Sequence, residues 1–286
     1  NVKNEADNIV ATIESVRDVV DYYCILDTGS TDGTQALIQK AFGNTKGRIY
    51  QEPFVDFSTT RNRAIELEGQ HSTYAFMLSG DETVQNATAL RGILNVYRGQ
   101  PLEEAFNVRI LYGNQQYDSI RLHRTDAPWS YVGKTHEVLR SANGQPASGR
   151  IPFVQILHRI RKDKTERWLL DEHILLTEWS TNPRPRTAYF LGQTYHSLRN
   201  WTHAYKWYAT RWKMKGNWQE EEYEARYRMA VVSEKLNQTW DITETIFMDA
   251  ASYRPTRIEP LLHVAYHYHE QQQYQKSYTV LKHIMD

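Results

Sequence analysis

The first half of the chain alternates short apolar runs with stretches of helical period. The runs Tyr22 to Leu26, Arg48 to Gln51, Tyr74 to Leu78, Ala105 to Leu111, Ser119 to Arg124 and Phe153 to His158 are rich in β-branched and aromatic residues. Gly, Asn and Asp bound them, so they read as strands. Around the first four, Asn8 to Val20, Gln35 to Phe42, Ser58 to Glu68 and Ala87 to Arg98 space their apolar residues as helices do. Strands alternating with helices predict an α/β unit with a mostly parallel sheet, to which Ala105 to Arg124 is added as a hairpin.

From about Lys164 the strand signals stop and helical period takes over. A repeat is visible there. Gly192, Tyr195, Ala204 and Tyr208 set a small residue, an aromatic, a small residue and an aromatic at fixed offsets, and Ala265, Tyr268, Ser277 and Leu281 follow the same spacing. A degenerate middle copy runs through Val231, Phe247, Ala250 and Pro255. Small residues let helices approach closely while aromatics fill the gap beside them, as in tetratricopeptide-like stacks; a generic helical bundle is the alternative. The expected division is an α/β domain over 1–163 and an all-α domain over 164–286.

Composition narrows the function classes. Lys plus Arg (34) balance Asp plus Glu (34), so no long-range field favours nucleic acid or an anionic membrane. The single cysteine, Cys24, forms no disulfide framework and suits a reducing, cytoplasmic compartment. No apolar run approaches the ~20 residues of a membrane span. The first residue already lies inside a motif and the last lies inside a repeat, which reads as a chain cropped at both ends.

In an open parallel sheet, ligands collect outside the carboxyl ends of the strands. Three polar clusters are expected at that edge: VKNEAD (2–7), DTGSTDGT (27–34) and SGDE (79–82). Neither GxxxxGK[ST] nor GxGxxG is present to cradle phosphate. An acid at such an edge can accept from a base or ribose, or hold a hard cation. Asp27 and Asp32 have a plain alternative as a turn residue and a helix cap. Asp81 and Glu82 have one as caps, and DFSTTRNRAIELE as a solvated helix.

Taken in order, VKNEADNI, LDTGSTDGT, DFSTTRNRA, SGDE and YVGKTHEVL resemble family 2 glycosyltransferases of the GT-A fold, Rossmann-like with a mostly parallel sheet. RPRTAYFLGQTY and YRPTRIEPLLHVAYHY are similar to the subgroup with a C-terminal tetratricopeptide-like domain. The resemblance implies a first strand ahead of Val2, a nucleotide-sugar donor, UDP-linked, and a Mn²⁺ or Mg²⁺ ion. It puts Asn4, Glu5, Asp27 and Arg61 around the nucleoside. Ser79 stands where the family's metal-binding segment begins with an acid, which leaves Asp81 and His158 as metal ligands. Glu137 would be the base for an acceptor hydroxyl on a protein or glycan, beside His136. The activity implied is inverting sugar transfer. The helical half would hold the acceptor or form a homodimer. The rival reading, favoured by Ser79, is a weakened transferase domain that serves as a binding scaffold through its repeats. A nucleotidyltransferase would require a basic Gly-rich signature that is not visible.

Overall fold

The computed structural model describes residues 1–97, 104–144, 148–159, 163–214, 216 and 218–285; Arg98, the end of one expected helix, lies outside them. The chain divides into two compact units, Asn1–Lys162 and Asp163–Asp286.

The first unit runs α1 (Ile9–Glu14), β1 (Tyr22–Asp27), α2 (Thr34–Phe42), β2 (Lys46–Gln51), α3 (Phe57–Glu68), β3 (Tyr74–Phe76), β4 (Glu82–Gln85) and α4 (Thr88–Tyr97). It continues through β5 (Ala105–Tyr112), β6 (Gln115–Arg124), β7 (Trp129–Val132), β8 (Val138–Ser141) and β9 (Ser148–His158). It is a mixed α/β unit, and the mostly parallel GT-A sheet expected of it does not form. β1 and β2 make a parallel pair of their own, β7 and β8 an antiparallel one, and the remaining strands a five-stranded sheet in the order β3-β6-β5-β9-β4. In that sheet only the β5–β9 pairing is parallel. The reason is local. A two-residue turn, with Gly113 at φ +58°, sends β6 straight back along β5, and a tight return makes neighbours antiparallel. β4, β7 and β8 have four residues each, too few for an alternating pattern to stand out.

Three apolar clusters organise this unit among the described residues, one of them Ala105, Trp129, Tyr131 and Leu139. Phe106, Val108, Ile110, Leu122 and Ile156 pack at the centre of the five-stranded sheet. Val2, Ile9, Ile13, Ile38 and Phe42 join α1 and α2 beside β1. α3 begins on Asp56, whose side chain accepts the Thr59 N–H at 2.7 Å, and stops at Gly69 in the left-handed region.

The second unit is all helix: α5 (Thr165–Thr181), α6 (Pro185–Ser197), α7 (Trp201–Lys213), α8 (Gln219–Lys235), α9 (Trp240–Tyr253), α10 (Glu259–Glu270) and α11 (Tyr274–Met285). Each helix packs on the next, and α6 also reaches α8. That is the nearest-neighbour pattern of a stacked repeat. Prolines in the first turns of α6 and α10 start those helices without losing an intrahelical hydrogen bond. The core runs from Leu175 through Tyr208, Met229 and Phe247 to Val264.

Candidate functional site

The loop after β1 is folded by its own side chains. Asp27 is fully buried; one carboxylate oxygen accepts the N–H groups of Gly29 (2.8 Å) and Ser30 (2.7 Å), while Oδ2 finds no hydrogen-bond partner. Asn4, at φ +53°, donates its N–H to Ser30 Oγ (2.9 Å) and accepts from the Thr31 N–H (2.8 Å). Glu5 is buried, and its N–H donates to Thr34 Oγ1 at 2.8 Å. Asp32 accepts from the Thr34 hydroxyl (2.5 Å), the Thr34 N–H (3.0 Å) and the Ala6 N–H (2.9 Å). The Thr34 hydroxyl bond, aided by the Ala6 amide, holds its carboxyl below the usual range. The Gly-Ser-Thr-Asp loop is therefore stitched to residues 4–6. Gly80 reaches the same place: a Cβ there would meet Glu5 Cγ at 2.8 Å, and its carbonyl accepts from the Thr12 hydroxyl at 2.9 Å.

The SGDE segment is also engaged. The Ser79 N–H donates to Glu82 Oε2 at 2.8 Å. Glu82 is fully buried and pairs with Arg121 through contacts of 2.7 and 3.1 Å. His158 lies opposite Glu82 in the β4–β9 register, 3.7 Å from its carboxylate and 3.6 Å from that of Asp81. Asp81 and His158 thus meet, but with a buried carboxylate–guanidinium pair as the third member. Arg121 is the residue that the sequence reading missed. Its signal is a cation on β6, two residues before the buried His123.

Arg61 and Glu137 form the third group. Arg61 Nε lies 2.6 Å from Glu137 Oε1, both side chains are mostly buried, and the guanidinium sits 5.2 Å from the centre of the Tyr131 ring. Next to it, the Asn62 side chain donates to the Tyr131 carbonyl (3.0 Å) and accepts the Tyr131 N–H (2.6 Å), which ties α3 to β7. His136, at φ +51°, stands in the turn between β7 and β8.

The structure therefore brings Asn4, Glu5 and Asp27 to one loop cluster, Ser79, Asp81 and His158 to another, and Arg61 and Glu137 to an ion pair. Their polar groups chiefly hold segments to one another. Among the described residues, no three His, Cys, Asp or Glu side chains are disposed to hold a metal ion.

No family model and no curated protein matches the chain. Solved structures of MamA are similar to part of it. MamA MSR-1 is 19% identical, with a TM-score of 0.36, over 42% of this chain and 67% of that one. MamA AMB-1 is 17% identical, with a TM-score of 0.35, over 42% and 65%. MamA 41-end from Desulfovibrio magneticus RS-1 is 14% identical, with a TM-score of 0.23, over 42% and 89%.

The resemblance to family 2 glycosyltransferases is corrected with the activity drawn from it: no family model bears it out, and the sheet it implies does not form. The structure supplies the physical side of that correction. The sheet is mixed rather than mostly parallel. Glu137, expected as the base beside His136, is bound to Arg61, which was expected at the nucleobase. The segment that starts at Ser79 is folded around the Glu82–Arg121 pair. The inverting sugar transfer drawn from that family falls with it. No helix among the described residues is long and apolar enough to cross a membrane.

Proposed function

We propose that this chain is a protein-interaction scaffold whose tetratricopeptide-like helical unit pairs through α11, with a second copy of the chain as partner. One comparison within the unit carries the reading. Residues of α7 and α11 that stand 73 positions apart correspond: Trp201 with Tyr274, Tyr205 with Tyr278, Tyr208 with Leu281. On α7 all three join the packed core, where α8 lies against the helix, and Tyr208 is 1% exposed. On α11, Tyr274, Tyr278 and Leu281 are 60%, 57% and 38% exposed.

Spacings of four and three place the trio on one face of α11. Tyrosine offers a large apolar body with one polar tip, a composition enriched at protein interfaces. In a stacked repeat such a face is covered by the next helical element. A second copy brings the same stripe, which suits a self-complementary two-fold contact. The α/β unit would then be carried as a passenger of the assembly.

Sedimentation velocity tests the reading. A concentration-dependent dimer is expected, and Tyr278→Glu combined with Leu281→Glu should return the chain to a monomer with unchanged helical circular dichroism. A monomer at every concentration, or a dimer indifferent to both substitutions, overturns it.

A further inference from the structure

We infer that two copies of the chain meet through helical hairpins rather than through single helices. α11 of one copy seats in the groove between α10 and α11 of the other, and the four helices close as a bundle. This arrangement rests on the pairing proposed above and adds α10 to it. The repeat within the unit shows which surface a covering helix needs. Moved by 73 positions, α6 falls on α10 and α7 on α11. The turns between them match as well: Arg199 and Gln272, 73 positions apart, stand at φ +56° and +57°.

α8 shows how the internal seat is filled. It packs on α7 and also on α6. Glu221 of α8 lies between the two, 2.9 Å from Arg211 of α7 and 3.5 Å from Arg186 of α6. Tyr189 of α6 is 9% exposed, with Glu221, Glu224 and Arg228 of α8 close enough to act on its hydroxyl. A helix that covers α11 in the same manner therefore also covers α10. The positions of α10 that match Tyr189 and Gln193 are Leu262 and Tyr266. These are 42% and 65% exposed, and a spacing of four puts them on one face.

The chemistry of this second seat selects its occupant. Where α7 carries the buried Arg211, α11 carries Ile284. Where α6 carries Arg186, α10 carries Glu259, itself held by Arg257. A helix like α8, with Glu220, Glu221 and Glu222 in its first turn, would bury acids there without the two cations that receive Glu221. The Tyr274, Tyr278 and Leu281 stripe of a second copy brings apolar bodies, hydroxyl tips and no charge. Size points the same way. The 12 residues of α11 make a face about 18 Å long and one helix, about 10 Å, wide. That is small against the roughly 800 Å² per partner of a stable interface, and α10 doubles its width.

Sedimentation velocity on the full chain compares the parent with Leu262→Glu combined with Tyr266→Glu. The dimer dissociation constant should rise by about tenfold or more, with unchanged helical circular dichroism. A dimer that Tyr278→Glu with Leu281→Glu abolishes, but that the α10 variant leaves intact, overturns the four-helix arrangement and keeps the pairing through α11. A parent that is monomeric at every concentration overturns both. If the α10 variant loses helix, Leu262→Cys and Tyr278→Cys chains, each with Cys24→Ser, are mixed and treated with a short bismaleimide. A link between the two kinds of chain, located by mass spectrometry, supports the arrangement. Links only between like chains, or none, refute it.

Discussion

A Cβ placed on Gly192 of α6 would lie 2.6 Å from the ring carbons of Tyr208 on α7. The two helices approach so closely because one of them has no side chain at that point, and the tyrosine ring fills the space. Gly192→Ala should therefore destabilise the helical unit by about 1 kcal/mol, even though alanine favours a helix by about as much, since overpacking costs roughly 1–3 kcal/mol. Gly192→Ala with Tyr208→Leu should recover part of the loss. Urea denaturation followed by circular dichroism measures both.

Arg211 and Glu221 join α7 to α8 as an ion pair with almost no exposure, Nε to Oε1 at 2.9 Å. The guanidinium also donates to the Met214 carbonyl at 2.9 Å and the Gly216 carbonyl at 3.4 Å. Arg211→Met alone leaves a buried carboxylate with Arg186, 3.5 Å away, as its remaining cation among the described residues. A loss of about 3–5 kcal/mol is expected. Arg211→Met with Glu221→Leu should cost much less, because neither charge is then stranded. Equal losses for the single and double variants would refute this account of the joint.

Glu137→Gln tests the structural weight of the Arg61–Glu137 pair in the α/β unit. Arg61 stays held over Tyr131 but loses its counter-charge in a mostly buried place. Thermal unfolding should show a loss of about 1–3 kcal/mol. The double variant Arg61→Met/Glu137→Met should unfold later than Glu137→Gln.

His123 predicts a pH dependence. Burial pulls its imidazole below the ordinary value of 6.5, against a weaker opposite pull from the Arg124 carbonyl. Its Nε2 has no hydrogen-bond partner. Below 6.5 the unfolded chain binds the proton more readily than the folded one, so stability rises with pH in that window. The contribution is complete above 6.5 and is lost as pH falls through the depressed folded value. His123→Phe should flatten the slope of stability against pH just below 6.5. A residual slope belongs to His196, also lowered by burial. An unchanged slope in His123→Phe would show that His123 is not the group.

The change from strand signals to helical period near Lys164 was legible in the sequence because period is a local property, written into every few residues. So was the spacing of Gly192, Ala204 and Tyr208, since a close helix approach demands small residues at set offsets. Strand partnership was not. β5 and β9 are 35 residues apart between the end of one and the start of the next, and only packing decides that they lie side by side and parallel. The site depended on the same long-range choices. Acids at 27, 81, 82 and 137 read alike in sequence as groups at a sheet edge. Tertiary structure alone set Glu82 against Arg121 and Glu137 against Arg61, because a buried carboxylate requires a partner and nothing local specifies which cation arrives.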